Sequence, residues 1–131
     1  MSSKELSIYA FSGNSDNEKQ ALIAGADKFF LKPDDLNELM TNLAEIPPDS
    51  AVYLVDDDPI ITQLLKDCLE LSDFKDNLHI FHNTLEVIIH SHSQDKVDTV
   101  VTDINMPPGP SGLVLIEALV YIYNYKKKDD Q

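Results

Sequence analysis

Ser12, Lys32, the run Asp56-Asp57-Asp58 and Asp103 are the side chains of this 131-residue sequence whose types suit a common chemistry. Carboxylates brought together repel, and one of them protonates unless a cation neutralises the group. Hard oxygen donors of this kind suit magnesium, which takes a few protein ligands, keeps waters and favours a phosphate partner. Lys32 offers a positive charge where negative charge develops, and the Ser12 hydroxyl a donor. The chemistry such a set supports is phosphoryl transfer to a carboxylate oxygen, which needs positioning and charge neutralisation above all. Each residue alone has an ordinary reading. Asp56-Asp57-Asp58 could be a solvated turn or cap, Asp103 before Ile-Asn-Met-Pro a turn closure, and Lys32 a surface lysine.

The pattern of the chain predicts the elements that position these groups. Ser7–Phe11 is a short apolar strand ending at Ser12-Gly13. Asp16–Gly25 reads as a helix, with Leu22 and Ile23 on one face and Gly25 as C-cap. Asp27–Leu31 is a strand stopped by Lys32-Pro33. Asp34 or Asp35 caps a helix through Ala44, its apolar face being Leu36, Leu39, Met40 and Leu43. Ile46-Pro-Pro-Asp-Ser50 is a stiff connector. Ala51–Val55 is a strand, and Asp58-Pro59 opens a helix with the stripe Ile60, Ile61, Leu64, Leu65, Cys68 and Leu69. Leu78–His82 is a strand, Thr84–His92 a helix, Val97–Asp103 a strand, Pro107–Gly112 a loop and Leu113–Tyr125 a helix. Lys126–Gln131 reads as a polar tail.

Five strands alternating with helices predict an α/β fold, a doubly wound five-stranded parallel sheet in three layers, α/β/α. In such sheets the binding crevice lies beyond the carboxyl ends of the strands. Ser12, Lys32, Asp56, Asp57 and Asp103 all fall there.

Composition narrows the function classes. There are 23 acidic residues against 10 lysines and no arginine, a formal charge of −13. Such a chain repels phosphate backbones, so nucleic-acid binding is not expected. No apolar run is long enough for a bilayer and no signal pattern opens the chain, so no membrane association and a cytoplasmic location are expected. Cys68 is alone and reads as core. His79, His82, His90 and His92 do not share a face and read as surface or core histidines rather than metal ligands.

The motifs resemble those of the response-regulator receiver domains of two-component signalling. Val55-Asp-Asp-Asp58 resembles the family's acidic pair, and Thr102-Asp-Ile-Asn-Met-Pro107 its phosphoacceptor motif. Ser12-Gly13 resembles the switch hydroxyl, and Gly25–Pro33 the lysine segment. The resemblance runs from about Leu6 to Gly112. It implies a flavodoxin-like fold, with Asp103 as phosphoacceptor assisted by Lys32 and Ser12. It further implies Mg2+ held by Asp56, Asp57, Asp103 and the Asn105 backbone carbonyl, and Ser12 and Phe29 as switch residues. The implied partners are a sensor histidine kinase or phosphotransfer protein as donor and an unidentified output protein. The implied protein is not an enzyme beyond its own phosphorylation and dephosphorylation. The loop Pro107–Gly112 departs from the family by one added residue, and Phe29 by lacking a hydroxyl.

The motif order is also unusual, with Ser12 and Lys32 ahead of the acidic pair. The expectation is one domain over 1–131 with circularly permuted elements. Residues 1–45 resemble the family's C-terminal half, 46–50 are the joint, and 51–131 resemble the N-terminal half. The predicted sheet order, in this chain's own numbering, is 4-3-5-1-2. Pairing between two copies as a domain-swapped dimer stays open. Helix 113–125, apolar nearly all round, suggests a homodimer contact. Two other functions remain: a pseudo-receiver used only for binding, and a haloacid-dehalogenase-like phosphatase in which Asp56 of Asp56-x-Asp58 is the nucleophile.

Overall fold

The computed structural model of the chain describes residues 6–32, 34–46, 50–70, 78–83, 86–87, 98–105 and 111–129. Its strands are β1 (Ser7–Ser12), β2 (Lys28–Leu31), β3 (Val52–Val55), β4 (Leu78–Phe81) and β5 (Thr99–Asp103). Its helices are α1 (Asn17–Ala24), α2 (Leu36–Ala44), α3 (Pro59–Glu70) and α4 (Gly112–Asp129). β3 and β5 are buried along their whole length, as apolar strands covered on both faces must be.

All strand pairings are parallel, in the order β2-β1-β5-β3-β4. Read from the other edge this is the expected 4-3-5-1-2. The five strands of one chain complete the sheet. The order of connections reverses between β5 and β3, the place where such sheets open a crevice at their carboxyl edge. Register lines up that edge: Phe11 of β1 stands beside Asp103 of β5, and Val55 of β3 beside Thr102. At the opposite edge Asp98 ties the central strands together. Ser7 N–H donates to its carbonyl at 2.9 Å and Ala51 N–H to its Oδ2 at 2.8 Å.

Two cores make the three layers. On one face Ala21 of α1 and Leu115, Ile116 and Leu119 of α4 cover the sheet. On the other, Leu39 and Leu43 of α2 and Leu65 of α3 do so, with Leu36 and Met40 at the margin as expected. Among the described residues no helix is long and apolar enough to cross a membrane.

Several expectations are corrected. Leu22 and Ile23 are not the buried face of α1: they are 44% and 76% exposed. α1 instead meets α4 through small residues. Ala21 is buried, and a Cβ on Gly25 would lie 2.7 Å from Cγ2 of Val120. The φ of Gly25, 129°, also belongs to glycine, and its N–H closes the helix on Ala21 and Leu22. The buried stripe of α3 is narrower than expected, because only one side of the helix meets the sheet and α2. Ile60 and Leu64 point outward at 76% and 41% exposure, while Thr62 and Leu65 are buried. The side chains of Cys68 and Leu69 lie outside the described residues. Asp35 precedes α2 without capping it, its Oδ2 accepting the Leu31 N–H at 2.8 Å. Asp58 does cap α3, its Oδ1 accepting the Ile60 N–H at 2.9 Å. α4 begins at Gly112 and continues through Lys126–Lys128 to Asp129, so the expected tail is helical up to there. Of the helix expected over 84–92 only Glu86 and Val87 are described, and both are helical. His90, His92 and most of the 107–112 loop lie outside the described residues.

Candidate functional site

The carboxyl ends of β3, β5 and β2 deliver Asp56, Asp103 and Lys32 to one point. Asp56 is 1% exposed and Asp103 6%, whereas Asp57 is open to solvent. Carboxylate oxygens of Asp56, Asp57 and Asp103 lie within 4.8 Å of one another. Lys32 Nζ donates to Asp56 Oδ2 at 2.9 Å and lies 3.5 Å from Asp103 Oδ2. The second oxygen of each buried carboxylate is also engaged. Asp56 Oδ1 accepts the Asp58 N–H at 2.8 Å, and Asp103 Oδ1 the Asn105 N–H at 3.3 Å.

Burial sets the electrostatics. It pushes the Asp103 carboxyl up to about 6, helped by the charge of Asp56 and opposed by Lys32 and the Asn105 N–H. Burial also raises Asp56, against the Asp58 N–H and the Lys32 ammonium. One lysine does not fully offset two desolvated carboxylates that share it. The donor set is all hard oxygen, clustered and short of positive charge, which fits a magnesium ion.

Lys32 is held from below as well. Its Nζ sits 4.3 Å from the centroid of the Phe11 ring, and its backbone N–H donates to the Ser12 carbonyl at 2.8 Å. Ser12 is wholly buried, and its Oγ accepts from Asn14 N–H at 3.0 Å and Asn17 Nδ2 at 2.8 Å. Thus Asp56, Asp57, Asp103 and Lys32 converge directly, while Ser12 stands at the same edge under the control of the α1 start. Phe29 is half-buried and packs against the core on the α1–α4 side. Asn105 is exposed beside Asp103.

Sequence reasoning missed four contributors. Phe11 reads only as a strand residue until its ring is found under Lys32. Asn17 reads as a polar helix start. Gly112 reads as loop, yet a Cβ there would lie 2.0 Å from the Asp103 carbonyl oxygen, and its N–H donates to Ile104 O at 2.8 Å. His82 Nδ1 lies 3.2 Å from the Asp56 carbonyl, so this nitrogen carries the proton. Proximity to the aspartate motifs was a sequence signal for Gly112; the others had none.

The family model of the response regulator receiver domain matches residues 52–124, more than half of the chain, and the chain belongs to that family. The matched stretch runs from β3 into α4 and contains Asp56, Asp57 and Asp103. Ser12 and Lys32 lie before it. Neither the curated proteins nor the solved structures compared with the chain gave a match.

Proposed function

We propose that this receiver is a working phosphoacceptor whose Asp103 takes a phosphoryl group with the help of Lys32, Ser12 and Mg2+, and that the modification switches its affinity for other proteins. The observation that carries this reading is the shared lysine. Lys32, from the part of the chain before the family match, bridges Asp56 and Asp103 from within it.

The site would hold magnesium through Asp56, Asp57, Asp103 and the Asn105 carbonyl, and a bound ion would neutralise the carboxylates and the phosphoryl oxygens. The chain's own groups do the rest. A carboxylate oxygen of Asp103 attacks the phosphorus of an acyl phosphate or phosphohistidine. The new O–P bond forms as the old P–O or P–N bond breaks, and its electron pair leaves with the carboxylate or imidazole. Lys32 follows the negative charge onto the phosphoryl oxygens, and Ser12 supplies a donor. The charge gained at Asp103 biases a two-state equilibrium, with Ser12 and the half-buried Phe29 as its movable parts.

The donor in this reading is a sensor histidine kinase or phosphotransfer protein, and the output partner is a protein that senses the switched surface. The location is cytoplasmic and the only catalysis is the receiver's own. We read the element order as a circular permutation within one domain, with 1–45 as the family's C-terminal half, 46–50 as joint and 51–131 as the N-terminal half. The sheet order supports it. Exposed Val114 and Tyr121 on the outer side of α4 keep a homodimer through 113–125 open to test by light scattering. In the alternative phosphatase reading the nucleophile would be Asp56 rather than Asp103, and the experiment below separates the two.

Intact-mass spectrometry after incubation with acetyl phosphate and magnesium tests the proposal. A magnesium-dependent phosphoryl adduct, absent from Asp103→Asn, is expected. An adduct retained by Asp103→Asn and lost in Asp56→Asn would favour the phosphatase reading. Magnesium binding without an adduct would leave a pseudo-receiver.

A further inference from the structure

We infer that Asn17 is a positioning residue for Ser12: with the Asn14 backbone N–H, its side-chain amide fills the acceptor sites of the Ser12 hydroxyl and leaves that hydroxyl's proton to be donated to a phosphoryl group on Asp103. The inference rests on the reading of Asp103 as phosphoacceptor and deepens it.

A serine hydroxyl has one proton and two lone pairs. At Ser12 both lone pairs are met by donors, Asn14 N at 3.0 Å and Asn17 Nδ2 at 2.8 Å. The residue is 0% exposed, so bulk water cannot reorient it. The proton can then lie only in the remaining tetrahedral direction. The holder itself is anchored: Asn17 is the first residue of α1, and its backbone N–H donates to the Asn14 carbonyl at 3.1 Å. Ser12 follows Phe11, which is in register with Asp103 on the neighbouring strand. Hence the turn from Ser12 to Asn17 fixes the polarity of a hydroxyl at the edge where Asp103 ends its strand. A hydroxyl whose proton is already oriented needs no reversal of polarity when Ser12 shifts toward the charge.

Reversing the polarity without changing shape gives the test. Asn17→Asp is isosteric but offers only acceptors, so the Ser12 proton turns toward it. Initial rates of magnesium-dependent adduct formation with acetyl phosphate are read by intact mass for the full chain, with folding checked by circular dichroism. Asn17→Asp is expected to slow the reaction about tenfold, the worth of one hydrogen bond. Asn17→Gln, which keeps the amide donor, recovers most of the rate. In a Ser12→Ala background Asn17→Asp has no further effect. An equal loss in that background would overturn the inference, since Asn17 would then act through something other than Ser12. So would an unchanged rate. If Asn17→Asp does not fold, the same cycle is read on Asn17→Leu, which removes the donor and adds no acceptor. An adduct missing from the unsubstituted chain would overturn the phosphoacceptor reading and this one together. An adduct insensitive to Asn17 overturns only this one.

Discussion

Lys32 Nζ stands 4.3 Å from the centre of the Phe11 ring. The ring is 1% exposed and its residue is the register neighbour of Asp103, so an aromatic face and a carboxylate pair confine the same ammonium. The negative face of a desolvated ring attracts a cation. The ring and the 2.9 Å ion pair to Asp56 together hold a lysine side chain that is still 21% exposed over the site.

Replacing Phe11 with leucine keeps an apolar filler and removes the ring quadrupole. The expected loss at Lys32 is about 1 kcal/mol, or about fivefold in the rate of Asp103 phosphorylation. Adduct formation with acetyl phosphate measures it. Progressive fluorination of the ring, which drains the face of negative charge at nearly constant shape, should lower the rate stepwise. A flat series would show that the ring acts only as filler.

Asp103 makes stability depend on pH in an uncommon direction. Its carboxyl titrates near 6 in the folded chain and near 4 when unfolded. Between those values the folded form binds more protons, so stability falls as pH rises through the window, and the full penalty stands above about 6. The difference corresponds to about 3 kcal/mol as an upper figure. Asp103→Asn is therefore expected to be more stable than the unsubstituted chain at pH 7.5 with chelator present. It should also lack Asp103's share of the gain on acidification from pH 6 to 4. Urea titrations across that range measure both.

Lys32→Met leaves the two buried carboxylates facing each other without their shared cation. The expected cost is about 3 kcal/mol in metal-free buffer, because an uncompensated buried charge remains. Magnesium should recover much of it, since a ligand of the folded state stabilises by mass action. The rise in Tm on adding magnesium should be larger for Lys32→Met than for the unsubstituted chain, in which Lys32 already holds Asp56 Oδ2. Thermal denaturation with and without the metal compares the two.

Gly112 gives way to nothing larger. A Cβ 2.0 Å from the Asp103 carbonyl oxygen and 2.9 Å from Ile104 Cα meets backbone on both sides. Gly112→Ala is expected to destabilise by about 2 kcal/mol as α4 is pushed off the end of β5. It should also slow adduct formation at Asp103 beyond what Gly25→Ala, on the other end of α4's packing face, does at similar stability. Chemical denaturation paired with the mass assay separates the two effects.

The strand order was legible only through the likeness of the motifs to the receiver family, but the sequence by itself determined the strands and the edge where Asp56, Asp57, Asp103, Lys32 and Ser12 gather. Those follow from local pattern: apolar runs stop at polar residues, and a parallel sheet puts every such stop on one side. It also marked Asp58 as the cap of α3 and Gly25 as the end of α1, both matters of a few adjacent residues. Tertiary structure alone decided what each group touches. Leu22 and Ile23 turned outward because Ala21 and Gly25 let α1 approach Val120 more closely than a larger face could. Phe11 came under Lys32, and Lys32 between Asp56 and Asp103, through contacts between segments far apart in the chain. Even Asn17, five residues from Ser12, could not be assigned from spacing, because a hydrogen bond needs a direction as well as a distance, and only the packed chain supplies one.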